Sequence, residues 1–196
     1  MNEEEIVKKV RKFAISNSER DDIHGFIHVE RVYKTCIKIA EDVKANTLVL
    51  KIAVLLHDTG RIKEQEDSQG ANHAEISADM ARKFLSSKEI NLPKEDIDNV
   101  VHCIKAHSFS NKVIPETLEA KVLSDADKLD AIGAIGLYRT IGFTIVQHGG
   151  IDQVLDHLKN KILKLKDQMH FDISKQIAEK RHHIIVEFCK EIRREM

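Results

Sequence analysis

Apolar residues recur at three- and four-residue steps along almost the whole of this chain, and little interrupts them: two prolines and eight glycines stand among 196 residues. That spacing lines one face of an α-helix, and scarce helix breakers leave few places for turns, so the chain is expected to be all α. Ile6, Val7, Val10, Phe13 and Ala14 define a first amphipathic helix, and Val32, Cys36, Ile39 and Val43 a second running from about Phe26. Leu48 to Leu56 is apolar nearly all round, interrupted by Lys51, as suits a short helix buried in the middle of a bundle. Three more follow. Ile76, Met80 and Phe84 mark one; Ile97, Val100, Val101 and Ile104 mark another, opening at Pro93 after a turn at Asn91; Leu118, Val122 and Ala126 mark the third. Gly133 to Gly150 is ambiguous, because glycines spaced among apolar residues fit either close helix contacts or loops. Two long helices are expected to close the chain, one striped by Ile151, Val154, Leu155, Leu158, Ile162 and Leu165, the other by Ile177, Ile184, Ile185, Phe188 and Ile192.

No repeat or linker divides the chain, and 42% hydrophobic content over 196 residues suits a single domain spanning 1–196. Lysine and arginine number 31 against 32 acidic residues, so there is no basic excess for general nucleic-acid or anionic-membrane binding, while a small charged substrate stays open. Cys36, Cys103 and Cys189 are scattered and odd in number, which argues against a disulfide framework and for a reducing, cytoplasmic compartment. The charged start MNEEEIVKKV and the lack of an apolar stretch near the roughly 20 residues of a bilayer span lead to the expectation of a soluble, unprocessed protein.

Chemistry concentrates at His57-Asp58, an imidazole and a carboxylate at the end of the apolar run Leu48 to Leu56. A carboxylate buried there without a partner would cost several kcal/mol. The partial negative charge of a helix C-terminus adds to its need for a cation. Arg61 is the nearest cation and could supply that charge, which is the plain structural account. Helix faces sort the other histidines. His28 lies four residues before Val32, His73 three before Ile76, and His107 three after Ile104, so each extends an apolar stripe inward. His102 falls opposite its helix's stripe and reads as a surface residue. Singly, an inward histidine is most often a hydrogen-bonded core residue; four around a His-Asp pair make a set of divalent-metal ligands.

With His28 in HGFIHVERV, His57 and Asp58 in AVLLHDTGR, and Asp127 in VLSDADKLDAIGAIGLYR, the chain resembles the HD-domain superfamily of metal-dependent phosphohydrolases. The last string is similar to the form in a subgroup of small, stand-alone bacterial and archaeal HD hydrolases. The resemblance covers roughly residues 20–140, with helices at about 150–195 packed on that core, and implies a helical bundle with a metal at its centre. Choosing Asp127 over Asp125 or Asp130 rests on the motif alone. His73 in NHAEISADM and His107 in IKAHSFS resemble the extra histidines of HD proteins that hold two ions. In that arrangement Asp58 bridges, His28, His57 and Asp127 complete one site, and His73 and His107 the other; alternatively, His73 and His107 bond substrate phosphate. The nitrogen and oxygen ligands suit manganese, iron, cobalt, nickel or magnesium better than structural zinc.

The resemblance implies hydrolysis of a phosphoester or phosphoanhydride of a nucleotide or small phosphorylated metabolite, with Asp58, His73 and His107 as catalytic candidates. Candidate substrate contacts are His24, Arg31, Arg61, Lys128 and Arg139, with Lys63 a weaker one; each has a surface or bracing role as its simpler reading. Glu75 and Asp79 offer carboxylates, though Glu75 faces away from His73, and Tyr33 and Phe109 are candidates for stacking on a base. Two rival classes remain: a di-iron HD-fold oxygenase, and a nucleotide-binding regulatory module without turnover. The C-terminal helices either finish the core or supply a homodimer face.

Overall fold

A computed structural model describes residues 2–66, 70, 72–88, 90–108 and 111–196, and among these it is all α-helical. Phe109 lies outside the described residues. No single described helix is long and apolar enough to cross a membrane. The chain divides into two compact units, Met1–Ser124 and Asp125–Met196.

The first unit holds α1 (Glu3–Ser16), α2 (Phe26–Val43), α3 (Thr47–Leu56), α4 (Arg61–Glu66), α5 (His73–Leu85), α6 (Lys94–His107) and the start of α7 (Leu118–Asp130). Its centre is α3, which packs against α1, α2, α5 and α6. That position follows from its sequence: Val49, Leu50 and every residue from Ile52 to Leu56 are buried, so this helix can only be surrounded. Asn46 starts it, its side chain accepting from the Leu48 and Val49 amides at 3.1 and 3.2 Å.

The α5 stripe is turned from the expected one. Ile76, Met80 and Phe84 are half-buried, whereas His73, Ala74, Ser77, Ala78, Ala81 and Leu85 are buried. Small side chains win that face because the backbone approaches so closely. The Gly60 amide donates to Ser77 Oγ at 2.8 Å, and a Cβ on Gly60 would lie 2.7 Å from the backbone of both His73 and Ser77. Helix α4, between the His-Asp pair and α5, has no apolar stripe to announce it.

Of α7, the first-unit part buries Val122 and Leu123 with Leu118 exposed at its start, and the second-unit part buries Ala126 and Leu129. The ambiguous glycine segment is a helix, α8 (Gly133–Val146). Gly133 takes φ +80°, and a Cβ there would meet the Arg181 side chain at 3.0 Å. The expected long helix from Ile151 breaks: α9 (Ile151–Asn160) gives way at Lys161 to a 3-10 helix, Ile162–Gln168. Val154, Leu155, Leu158, Ile162 and Leu165 stay buried across the break, so the stripe conceals it. Finally α10 (Asp172–Glu195) buries Ser174, Ala178, Ile185 and Cys189, leaving Ile177, Phe188 and Ile192 half-buried and Ile184 exposed.

Candidate metal centre

Asp58 is 3% exposed and stands just beyond the C-terminus of α3. Four histidines face it from within the first unit. Its Oδ1 lies 3.6 Å from His73 Nε2 and 3.6 Å from His107 Nε2. Its Oδ2 lies 3.6 Å from His28 Nε2 and 3.7 Å from His57 Nε2. All four rings are buried. Each carboxylate oxygen therefore has its own pair of imidazole nitrogens at distances too long for hydrogen bonds.

Local structure fixes which ring nitrogen points inward. The last carbonyls of a helix have no intrahelical partner, and His57 and His107 each stand at such an end. His57 Nδ1 donates to the Val54 carbonyl at 2.7 Å, and His107 Nδ1 to that of Ile104 at 2.6 Å. A carbonyl only accepts, so the proton sits on Nδ1 and each Nε2 presents a lone pair. His73 opens α5 after the Asn72 cap, and Glu64 Oε1 takes both its backbone amide, at 2.8 Å, and its Nδ1, at 3.2 Å. His73 Nε2 is bare.

The result is a surplus of acceptors. Asp58 Oδ1 and His73 Nε2 are both buried without a hydrogen-bond partner, a costly condition that a divalent cation between them would relieve. Nitrogens sharing one ion at about 2.1 Å stand about 3.0–3.4 Å apart, and His28 Nε2 and His57 Nε2 are 3.4 Å apart. Among the described residues, His57, Asp58 and His107 bring ligand atoms within 4.8 Å of one another. The donor set fits a hard or borderline divalent ion.

Arg61 does pair with Asp58, its Nε donating to Oδ2 at 2.6 Å. Burial alone would raise the Asp58 pKa; Arg61, with His57, His107 and His73, overcomes it and holds the carboxyl well below the usual range. For His73, burial first and then Arg61 depress the pKa to about 4, so the ring is neutral at pH 7. The plain account of Asp58 is thus correct for Oδ2 and leaves Oδ1 unexplained.

The other candidates are distributed more widely. Arg31 is half-buried on α2 and Lys63 exposed on α4. His24 is half-buried before α2, its amide bonded to Asp21 Oδ1 at 2.8 Å; Glu19 beside it is pushed up to about 7 by burial and then by Asp21. His102 lies outside the cluster, its Nε2 accepting the Glu116 amide at 3.0 Å. Glu75 holds Lys105 at 2.6 Å and Asn111 at 2.9 Å, Asp79 is exposed, and Tyr33 stacks under the Arg11 guanidinium at 5.2 Å.

In the second unit, burial lowers the Lys128 pKa, and Arg139 bonds Asp130 at 2.9 Å, its bracing role. Asp125 accepts from the His170 and Phe171 amides at 2.9–3.1 Å where α10 begins. Of the three neighbouring carboxylates, Asp125 and Asp130 therefore have structural partners within that unit; Asp127 is half-buried on α7. Sequence reasoning missed Glu64, and for Asp125, weighed only as an alternative to Asp127, it missed the bonds to the His170 and Phe171 amides, since neither partnership leaves a periodic signal.

The family model of the HD domain matches residues 25–132. YpgQ of Bacillus subtilis is 29% identical over 181 residues, spanning 88% of this chain and 84% of its own. Its crystal structure matches with a TM-score of 0.80 at 28% identity, over 100% of this chain and 98% of that one. The crystal structure of YpgQ in complex with ADP gives 0.79 at 28%, over 100% and 97%. A crystal structure of an HD-superfamily hydrolase from Bacillus thuringiensis gives 0.71 at 29%, over 99% and 98%. Ribonuclease Y of Borreliella afzelii is 36% identical over 93 residues, 47% of this chain but 16% of that protein, so the chain spans less than a fifth of that relative. The fold and the His-Asp cluster agree with these likenesses, and with the family model extending over more than half of its length the chain belongs to the HD-domain family.

Proposed function

We propose that this protein is a metal-dependent phosphohydrolase that cleaves a phosphoester or phosphoanhydride bond of a nucleotide or small phosphorylated metabolite. The observation that carries the reading is the Asp58 carboxylate, with imidazole nitrogens opposite both oxygens and with Oδ1 and His73 Nε2 buried unpartnered. His28 and His57 would hold an ion on the Oδ2 side, joined by Asp127 as the motif's distant aspartate; His73 and His107 would hold one on the Oδ1 side. Manganese, iron, cobalt, nickel and magnesium all suit this set. When bound, a divalent ion supplies Lewis acidity toward phosphoryl oxygens and acidifies water.

The chain's own residues do the rest. Asp58, ionised at neutral pH, orients the attacking water, while His73, neutral at pH 7, and His107, whose Nδ1 is held by the Ile104 carbonyl, turn their Nε2 atoms toward its Oδ1. Arg61 is within reach of the centre through its bond to Asp58 and would meet a phosphate oxygen there; Arg31, His24 and Lys128 are further candidates for substrate contact. The ADP complex of YpgQ, at 28% identity, supports a nucleotide as the substrate class. Division of the ligands between two carboxylate oxygens also suits a di-iron oxygenase, which dioxygen consumption by the iron-loaded protein would reveal.

Phosphate and pyrophosphate release from ADP and nucleoside triphosphates, measured after loading with each ion in turn, tests the proposal. Hydrolysis that depends on added metal and disappears in Asp58→Ala is expected. Equal hydrolysis by that variant, or none by the wild type with any ion, would defeat it.

A further inference from the structure

His57 and His107 are held by backbone carbonyls of their own helices, Val54 and Ile104. His73 has no such recourse. It is the first residue of α5, and a helix N-terminus offers free amides but no free carbonyls. The acceptor for its Nδ1 comes instead from a side chain nine residues earlier, Glu64 on α4, at 3.2 Å, and the same oxygen takes the His73 amide at 2.8 Å.

That arrangement decides the chemistry of the opposite nitrogen. With the proton on Nδ1, His73 Nε2 and Asp58 Oδ1 are two acceptors 3.6 Å apart, both buried and unpartnered. With the proton on Nε2, the ring would donate to Asp58 and cease to be a ligand. We infer that Glu64 is a positioning residue for the divalent-ion centre: it keeps the His73 proton on Nδ1, so that Nε2 remains a ligand atom facing Asp58. The inference rests on the reading of the cluster as a metal centre, and its first test needs no metal.

In the metal-free chain labelled with 15N at histidine, long-range proton–nitrogen correlation reads the tautomer of each ring, with His73 assigned by its loss in His73→Asn. Wild type and Glu64→Gln, whose amide oxygen still accepts, should show the Nδ1–H form. Glu64→Ala should shift toward Nε2–H. Manganese titration against a competing chelator should then show affinity on the His73 side lowered about 10- to 100-fold in Glu64→Ala, and less in Glu64→Gln. A lower Tm in Glu64→Ala is expected from the lost amide bond alone, so the tautomer is the deciding readout. Glu64→Ala with His73 still in the Nδ1–H form, or with wild-type manganese affinity, overturns the inference. A wild-type chain that takes up no ion defeats the metal reading, and a tautomer shift seen alongside it would leave Glu64 a structural partner only.

Discussion

Acidification of the metal-free protein should penalise the fold through one identifiable ring. His73 has a 9% exposed side chain, and its pKa falls from 6.5 to about 4, through burial first and the Arg61 charge second. A base that binds its proton less readily when folded favours the unfolded state as soon as the unfolded ring protonates. Stability is therefore intact above pH 6.5, declines between 6.5 and about 4, and levels off below. At about 1.4 kcal/mol per tenfold change in proton affinity, the full penalty is about 3 kcal/mol. Urea unfolding of wild type and His73→Asn at pH 7.5, 6, 5 and about 4, each with chelator present, isolates this contribution. Asp58 titrates below that window, and Glu19, at about 7, is common to both proteins and cancels. The expected result is a wild-type profile that drops about 3 kcal/mol further than the variant's between pH 7 and about 4. Parallel profiles would refute the claim that His73 is held neutral among cationic and buried neighbours.

Three further outcomes follow from particular contacts. Gly60→Ala places a Cβ 2.7 Å from the His73 and Ser77 backbones, about 0.8 Å inside ordinary contact. It should cost about 1–3 kcal/mol in denaturant unfolding and lower metal uptake by parting Asp58 from His73; an unchanged midpoint and metal content would show that the elbow is slack. His107→Ala should weaken metal binding in titrations while His102→Ala leaves it intact, since His102 bonds only outward to the Glu116 amide among its described contacts; equal effects would invalidate the helix-face assignment. Asp125→Ala strips the acceptor from the His170 and Phe171 amides and should cost about 2–3 kcal/mol in thermal unfolding, with metal content preserved; a loss below about 0.5 kcal/mol would contradict a role in starting α10.

Much of this was legible in the sequence where burial and period coincide. The apolar run Leu48 to Leu56 could only be a central helix with His57 at its end, and the inward placement of His28 and His107 follows from 3.6-residue geometry, whereas His73 is buried although Ile76, which set its expected face, is only half-buried. Where packing is set by small residues, hydrophobicity misleads: α5 turns Ala74, Ala78 and Ala81 inward and leaves Ile76 and Met80 at its flank. The break at Lys161 was silent because Ile162 and Leu165 continue the buried stripe in 3-10 geometry with no glycine or proline to mark it. Glu64 was invisible for another reason, since the bond it makes joins residues nine apart on different helices. Arg61 was foreseen both as a counter-ion and as a substrate contact, and the structure gives it the first of these roles at Oδ2.

Metal content per chain, measured by elemental analysis after incubation with manganese and removal of the excess, bears on the whole account. One or two ions per wild-type chain, and a loss of bound metal in Asp58→Ala with the helical fold retained, are predicted. A wild-type chain that emerges without metal, or an Asp58→Ala chain that keeps its full complement, would contradict it.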